Sequence, residues 1–120
     1  MKLFNLSILT ILSFTSSTVH AACSTSNAKG NPNDALLKLG FMCAGLIGNV
    51  PKNGITSTCV DVDSISYDVY AVNLKPIDTG LDQNTCTQNL KIPLACERGG
   101  ITAISDWRFV AVPKPGKCIP

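Results

Sequence analysis

Between residues 55 and 74 the chain alternates apolar and polar positions with a period of two. Ile55 to Val62 (ITSTCVDV) and Ile65 to Leu74 (ISYDVYAVNL) each read as a β-strand, with Asp63-Ser64 as the hairpin turn between them. In the second strand Ile65, Tyr67, Val69 and Ala71 share one face, and Tyr70, Val72 and Leu74 fall on the other. Apolar residues on both faces predict a central strand, covered on one side and partly covered on the other. Near the C-terminus Trp107, Phe109 and Ala111 alternate with Asp106, Arg108 and Val110. Residues 101–112 therefore read as a third strand, stopped by the first two prolines of PKPGKCIP.

The period changes in NPNDALLKLGFMCAGLIGN, residues 31–49. Asn31 is suited to cap a helix, Pro32 to open it, and Asp34 falls in its first turn. Leu36, Leu39, Cys43 and Leu46/Ile47 recur at helical spacing, and Gly48-Asn49 is the expected stop. Gly40 and Gly45 weaken such a helix by about 1 kcal/mol each and would allow close packing on a sheet. A buried strand over GFMCAGLI is the rival reading. Val50 to Gly54 is a loop turning at Asn53-Gly54, and Lys75 to Asn84 is a polar loop offered as an exposed binding surface. Pro93 argues against one continuous helix through TCTQNLKIPLACERGG: either a helix stops before Ile92 or a new one starts at Pro93, and a short helix over 93–98, ending at Gly99-Gly100, is the favoured expectation. The order helix, strand, strand, helix, strand predicts an α+β fold: a small disulfide-stabilised antiparallel sheet of three or four strands, with one or two helices packed on one face.

The first residues change the compartment. Lys2 is a positive start, Leu3 to Phe14 is an apolar stretch broken by Asn5, Ser7, Thr10 and Ser13, and Thr15 to Thr18 is small and polar. Val19-His20-Ala21 then places small residues where a signal peptidase reads them. Residues 1–21 are expected to be a signal peptide cut after Ala21, with Ala22 the alternative, and residues 22–120 a single secreted domain opening on a polar arm to residue 31. The apolar run falls short of the roughly 20 residues a membrane span needs. A lipid anchor on Cys23 is disfavoured because His20 stands where an aliphatic residue is wanted. The cut discards His20, the only histidine of the chain, and with it the usual Ser-His, Cys-His and His-metal chemistries.

Six cysteines, Cys23, Cys43, Cys59, Cys86, Cys96 and Cys118, all follow the cut. None forms a C-x-x-C pair, so three structural disulfides are expected rather than a metal or redox site, with 15 pairings open. A domain of this size is marginally stable from its core alone. Cross-links that begin at Cys23 and end at Cys118 would hold both termini. Without Lys2 the chain carries nine basic residues against eight acidic, a net +1, and it has no basic run. Nucleic acid is therefore not an expected partner, nor is stable membrane insertion.

The remaining candidates are modest. Asp61 and Asp63 lie two apart on a strand, a spacing that suits Ca²⁺ or glycosidase carboxylates, but a solvated strand edge and turn is the expected reading. Glu97-Arg98 reads as a helix end. No G-x-S-x-G elbow is present, and the only N-x-S/T sequon, at Asn5, lies in the leader. No catalytic, cofactor or metal site is expected, and no cofactor. A partner surface is expected to include Lys75, Asp78, Asp82 and Arg108, the last beside Trp107, which is expected in the core.

The Ser/Thr-rich leader, about 100 mature residues, and the even, dispersed cysteines resemble the small secreted cysteine-rich proteins of fungi, many of them effectors of plant pathogens. The tail DWRFVAVPKPGKC is similar to C-terminal strands in fungal effector families with a Trp-Arg-aliphatic motif, and in the killer-toxin-like α/β sandwich group. Val110 stands where the first of those motifs has a basic residue. The resemblance implies a virulence factor that binds a host protein or glycan, or hides fungal material from host receptors; the chain is expected to be monomeric and non-enzymatic. It would act outside the cell, in the host apoplast, or after later entry into host cells. A toxin against competing microbes and a protease inhibitor are the alternatives.

Overall fold

The computed structural model describes residues 20–119. The apolar stretch from Leu3 to Phe14, expected as part of a signal peptide, lies outside them. Chain order runs β1 (His20–Cys23), α1 (Pro32–Leu37), α2 (Leu39–Ala44), β2 (Gly48–Val50), β3 (Ile55–Val62), β4 (Ile65–Asn73), β5 (Thr79–Leu81), α3 (Gln83–Leu94), β6 (Gly100–Ala103) and β7 (Trp107–Pro115). Five strands form one antiparallel sheet in the order β1-β6-β7-β4-β3, and β2 pairs with β5 in a separate ribbon. The α+β class holds, but the described strands and helices outnumber the three or four and one or two expected.

The β3–β4 hairpin follows the alternation. Its ladder runs from Ile55↔Val72 to Val62↔Ile65, and Asp63 makes the turn at φ 56°. β4 is central, between β7 and β3. Tyr67, Val69 and Ala71 are buried, as are Trp107, Phe109 and Ala111 on the same face of β7, where Ala111 pairs with Val69 and Phe109 with Ala71. Ala35, Met42, Cys43 and Leu46 from the first helical segment, and Cys86, Leu90 and Leu94 from α3, complete one core on that side of the sheet. α3 lies over β1, β6 and β7, and α2 sits between α3 and β3.

Asn31 caps α1, its carboxamide oxygen accepting the Asp34 N–H at 3.4 Å, with Pro32 opening the helix. The segment continues as α2 after a break at Lys38, whose N–H bonds back to Ala35. This is helix, not the rival strand. Gly45 ends α2 against Thr58 of β3, where a Cβ would come within 2.9 Å of the threonine methyl. Close packing on the sheet therefore requires that glycine. Gly40 has open space around it.

Six expectations are corrected. The second helix is not 93–98 but the twelve residues of α3, capped by Asp82, whose carboxylate accepts the Thr85 N–H at 3.1 Å. Pro93 is tolerated because the helix ends one residue later: only the bond to the Asn89 carbonyl is forfeited, and the ring is buried with Leu90 and Leu94. Lys75 to Asn84 is not all loop; it holds β5 and the start of α3, and Leu81 joins the core. The stretch 101–112 is two strands, turning at residues 104–106, where the Ile104 N–H bonds the Trp107 carbonyl at 2.8 Å. Pro113 and Pro115 do not stop β7 but lie within it, past Ala111, where β6 has ended and β7 pairs with β4 alone. Finally, the arm expected from residue 22 begins as part of β1, and Gly48-Asn49, the expected stop, opens β2.

All six cysteines pair: Cys23–Cys96, Cys43–Cys86 and Cys59–Cys118. The first ties β1 to the end of α3, the second joins α2 to α3 inside the core, and the third fastens the C-terminal tail to β3. No described helix is long and apolar enough to cross a membrane.

Candidate functional site

Residues 35 to 47 are apolar almost all round. A sheet can cover only one side of a helix, so the surplus faces outward. The core takes Ala35, Met42, Cys43 and Leu46; Leu39 packs at its margin and Leu36 is 37% exposed. Leu37 and Phe41, four residues apart, are 82% and 72% exposed. With Gly40 and Ala44 they line a shallow apolar hollow of about 410 Å³. The Lys38 ammonium stands 5.6 Å from the centre of the Phe41 ring. Directly beneath, Cys43 is bonded to Cys86, so the stripe rests on a cross-linked helix pair. The repeat in this stretch was visible, but an all-apolar helix hides which stripe faces water.

The second candidate surface is the sheet face turned away from the helices. Across it run Ile55 and Val72, then Tyr70, Val110 and Ile101, with Arg108 among them. Ile55 and Ile101 are exposed; Tyr70, Val72 and Val110 are half-buried. Arg108 is exposed and makes no hydrogen bond or ion pair among the described residues. At the β1 edge, Arg108 borders an open depression of about 420 Å³ with Ala21, Ala22, Ile101 and Ala103.

The other residues singled out from sequence each have a local partner. Lys75 pairs loosely with Asp106 at 3.8 Å, the Asp78 carboxylate accepts the Lys52 N–H at 3.0 Å, and Asp82 caps α3. Trp107 is 3% exposed, a core residue as expected. Asp61 accepts the Cys118 N–H at 2.7 Å and so holds the tail. Asp63 instead meets Asp34 of α1; a shared hydrogen bond and the like charge raise its carboxyl above its ordinary 3.8, partly offset by Lys117 and Lys38. Glu97 pairs with Lys29 at 3.1 Å, and the Arg98 guanidinium donates to the Asn27 carbonyl at 2.8 Å. That helix end therefore has partners in the N-terminal arm, which no local signal disclosed. Among the described residues, no group of three or more His, Cys, Asp and Glu side chains is placed to hold a metal ion.

The chain matches no family model and no curated protein sequence.

Proposed function

We propose that the protein is a secreted, non-enzymatic binding protein of fungal effector type. It engages a host extracellular protein through the Leu37–Phe41 stripe. The observation that carries this reading is the exposure of those two side chains on a cross-linked helix pair. Burying a leucine and a phenylalanine is worth about 1.5–3 kcal/mol each, and the fold leaves that energy unused. Lys38 beside Phe41 favours a recess whose rim is acidic. Three disulfides support an oxidising destination, and the near-neutral mature charge speaks against a membrane-lytic toxin.

The test is capture from host apoplastic fluid on immobilised, oxidised protein, with Leu37→Ser/Phe41→Ser run beside it. A partner held by the native protein and lost from the double variant, with unchanged circular dichroism, supports the reading. Equal retention by both removes the stripe from the account. Growth arrest of microbes by the pure protein would favour the toxin alternative.

A further inference from the structure

The expected signal-peptide cut falls inside a strand of the folded sheet. In β1 the register is His20↔Ala103, Ala21↔Thr102, Ala22↔Ile101 and Cys23↔Gly100. Hydrolysis of the Ala21–Ala22 amide by water leaves a carboxylate on Ala21 and an ammonium on Ala22. The leader then departs with residues 20 and 21, and β6 loses its partners at Thr102 and Ala103. Ala22 and Cys23 stay, because Cys23 is bonded to Cys96 and the Ser24 N–H bonds the Gly99 carbonyl at 2.9 Å. The new ammonium is thus held at the end of a half-vacated sheet edge.

Three features of that edge point to one occupant. The Ala22 ammonium stands where a strand running in the β1 direction would end, so it complements a terminal carboxylate. Thr102 is fully buried and its hydroxyl has no hydrogen-bond partner among the described residues; the strand position opposite it is the one Ala21 vacates. On the other face, His20, Ala103 and Arg108 share one row across β1, β6 and β7, and Arg108 is unpaired among the described residues. A residue in the His20 place shares this row with the Arg108 guanidinium, beside the apolar floor of Ile101 and Ala103.

We propose that the mature protein captures the C-terminal end of an extended peptide by β-strand addition at this edge. The last residue is small and hydroxyl-bearing, set opposite Thr102, with its carboxylate on the Ala22 ammonium. The penultimate residue is acidic and pairs with Arg108. This site is separate from the Leu37–Phe41 stripe. It rests on the reading that the chain is secreted and cut after Ala21.

The secreted protein is first sequenced at its N-terminus, then titrated into a fluorescein-labelled hexapeptide ending in Glu-Ser with a free carboxylate, read by fluorescence polarisation. A chain beginning at Ala22 is expected to bind. Amidating the peptide's C-terminus should weaken binding at least tenfold, and Arg108→Glu should shift preference from Glu-Ser to Lys-Ser. A chain produced to begin at His20 should not bind, because its own residues fill the edge. Four results overturn the proposal: no saturable binding by the chain beginning at Ala22, equal binding of acid and amide, equal binding by the chain beginning at His20, or a dimer at assay concentration in sedimentation. A secreted chain that retains His20 and Ala21 overturns it as well, and the N-terminal sequence tells that failure of the cut from a failure of the site.

Discussion

Replacing Cys43 and Cys86 together by alanine should destabilise the protein more than replacing Cys59 and Cys118, although the first pair closes the shorter loop. The sequence separations are 43 and 59 residues. Loop-closure entropy taken singly is about 4 kcal/mol for either pair, so chain entropy does not separate them. Burial does. Cys43 and Cys86 are fully buried, whereas Cys59 and Cys118 are half-buried at the tail. Removing two core sulfur atoms adds roughly 1 kcal/mol each, as for deleted methylenes. The core variant should therefore lose about 6 kcal/mol and the tail variant about 4. A domain of this size holds about 5–15 kcal/mol in total, so the core variant should sit near the edge of folding. Urea unfolding followed by the fluorescence of Trp107, buried beside Phe109, reads both variants. Both should show a larger m-value, since the unfolded chain expands once a cross-link is gone. A tail variant as unstable as the core variant, or more so, would refute the reasoning that burial decides between them.

Other outcomes follow from single contacts. Tyr67→Phe removes the hydroxyl that accepts the Asn31 N–H at 2.8 Å, and should lower stability by about 1 kcal/mol in the same assay. Gly99→Ala should prevent accumulation of secreted protein, because Gly99 sits at φ 71° and an added Cβ would run into the Ala111 carbonyl. Asp63→Asn should be more stable than the native protein at pH 7. The folded carboxyl titrates above its unfolded value, so the penalty from Asp34 is present above the folded pKa and fades as pH falls towards 3.8. Thermal unfolding from pH 7 to 3 should show the gap closing; a gap constant with pH would contradict the Asp34 contact. Lys114→Ala should cost less than about 1 kcal/mol, since its 2.9 Å pair with Asp68 is partly exposed.

The hairpin of β3 and β4 was legible because period-two alternation and a turn pair agree there, and the burial of one face followed. The start of α1 was legible from Asn31, Pro32 and Asp34, whose roles are local. What stayed hidden depends on distant partners. β1 was hidden because Ala21 and Ala22 carry no strand signal; only pairing with β6 makes them a strand. β6 and β7 merged in the sequence because Ile104 continues the apolar run through the turn. α3 was concealed by its mean polarity and by Pro93. The Leu37–Phe41 stripe lay in plain view, yet a helix apolar on every side does not reveal which residues the sheet covers. Arg108 was picked out correctly as exposed, but its setting beside the β1 edge depends on strand order, which no local pattern encodes.

The central claim is that a folded apolar surface, not a reacting group, carries the activity. The most direct measurement is the response of host tissue to infiltrated pure protein in four forms: native, reduced and alkylated, Leu37→Ser/Phe41→Ser, and Asp61→Asn/Asp63→Asn/Glu97→Gln. The native and carboxylate-altered forms should act alike, while the reduced and stripe-altered forms should be inactive. A carboxylate-altered protein that keeps its fold and its captured partner but loses all activity would contradict the claim and mark the protein as an enzyme.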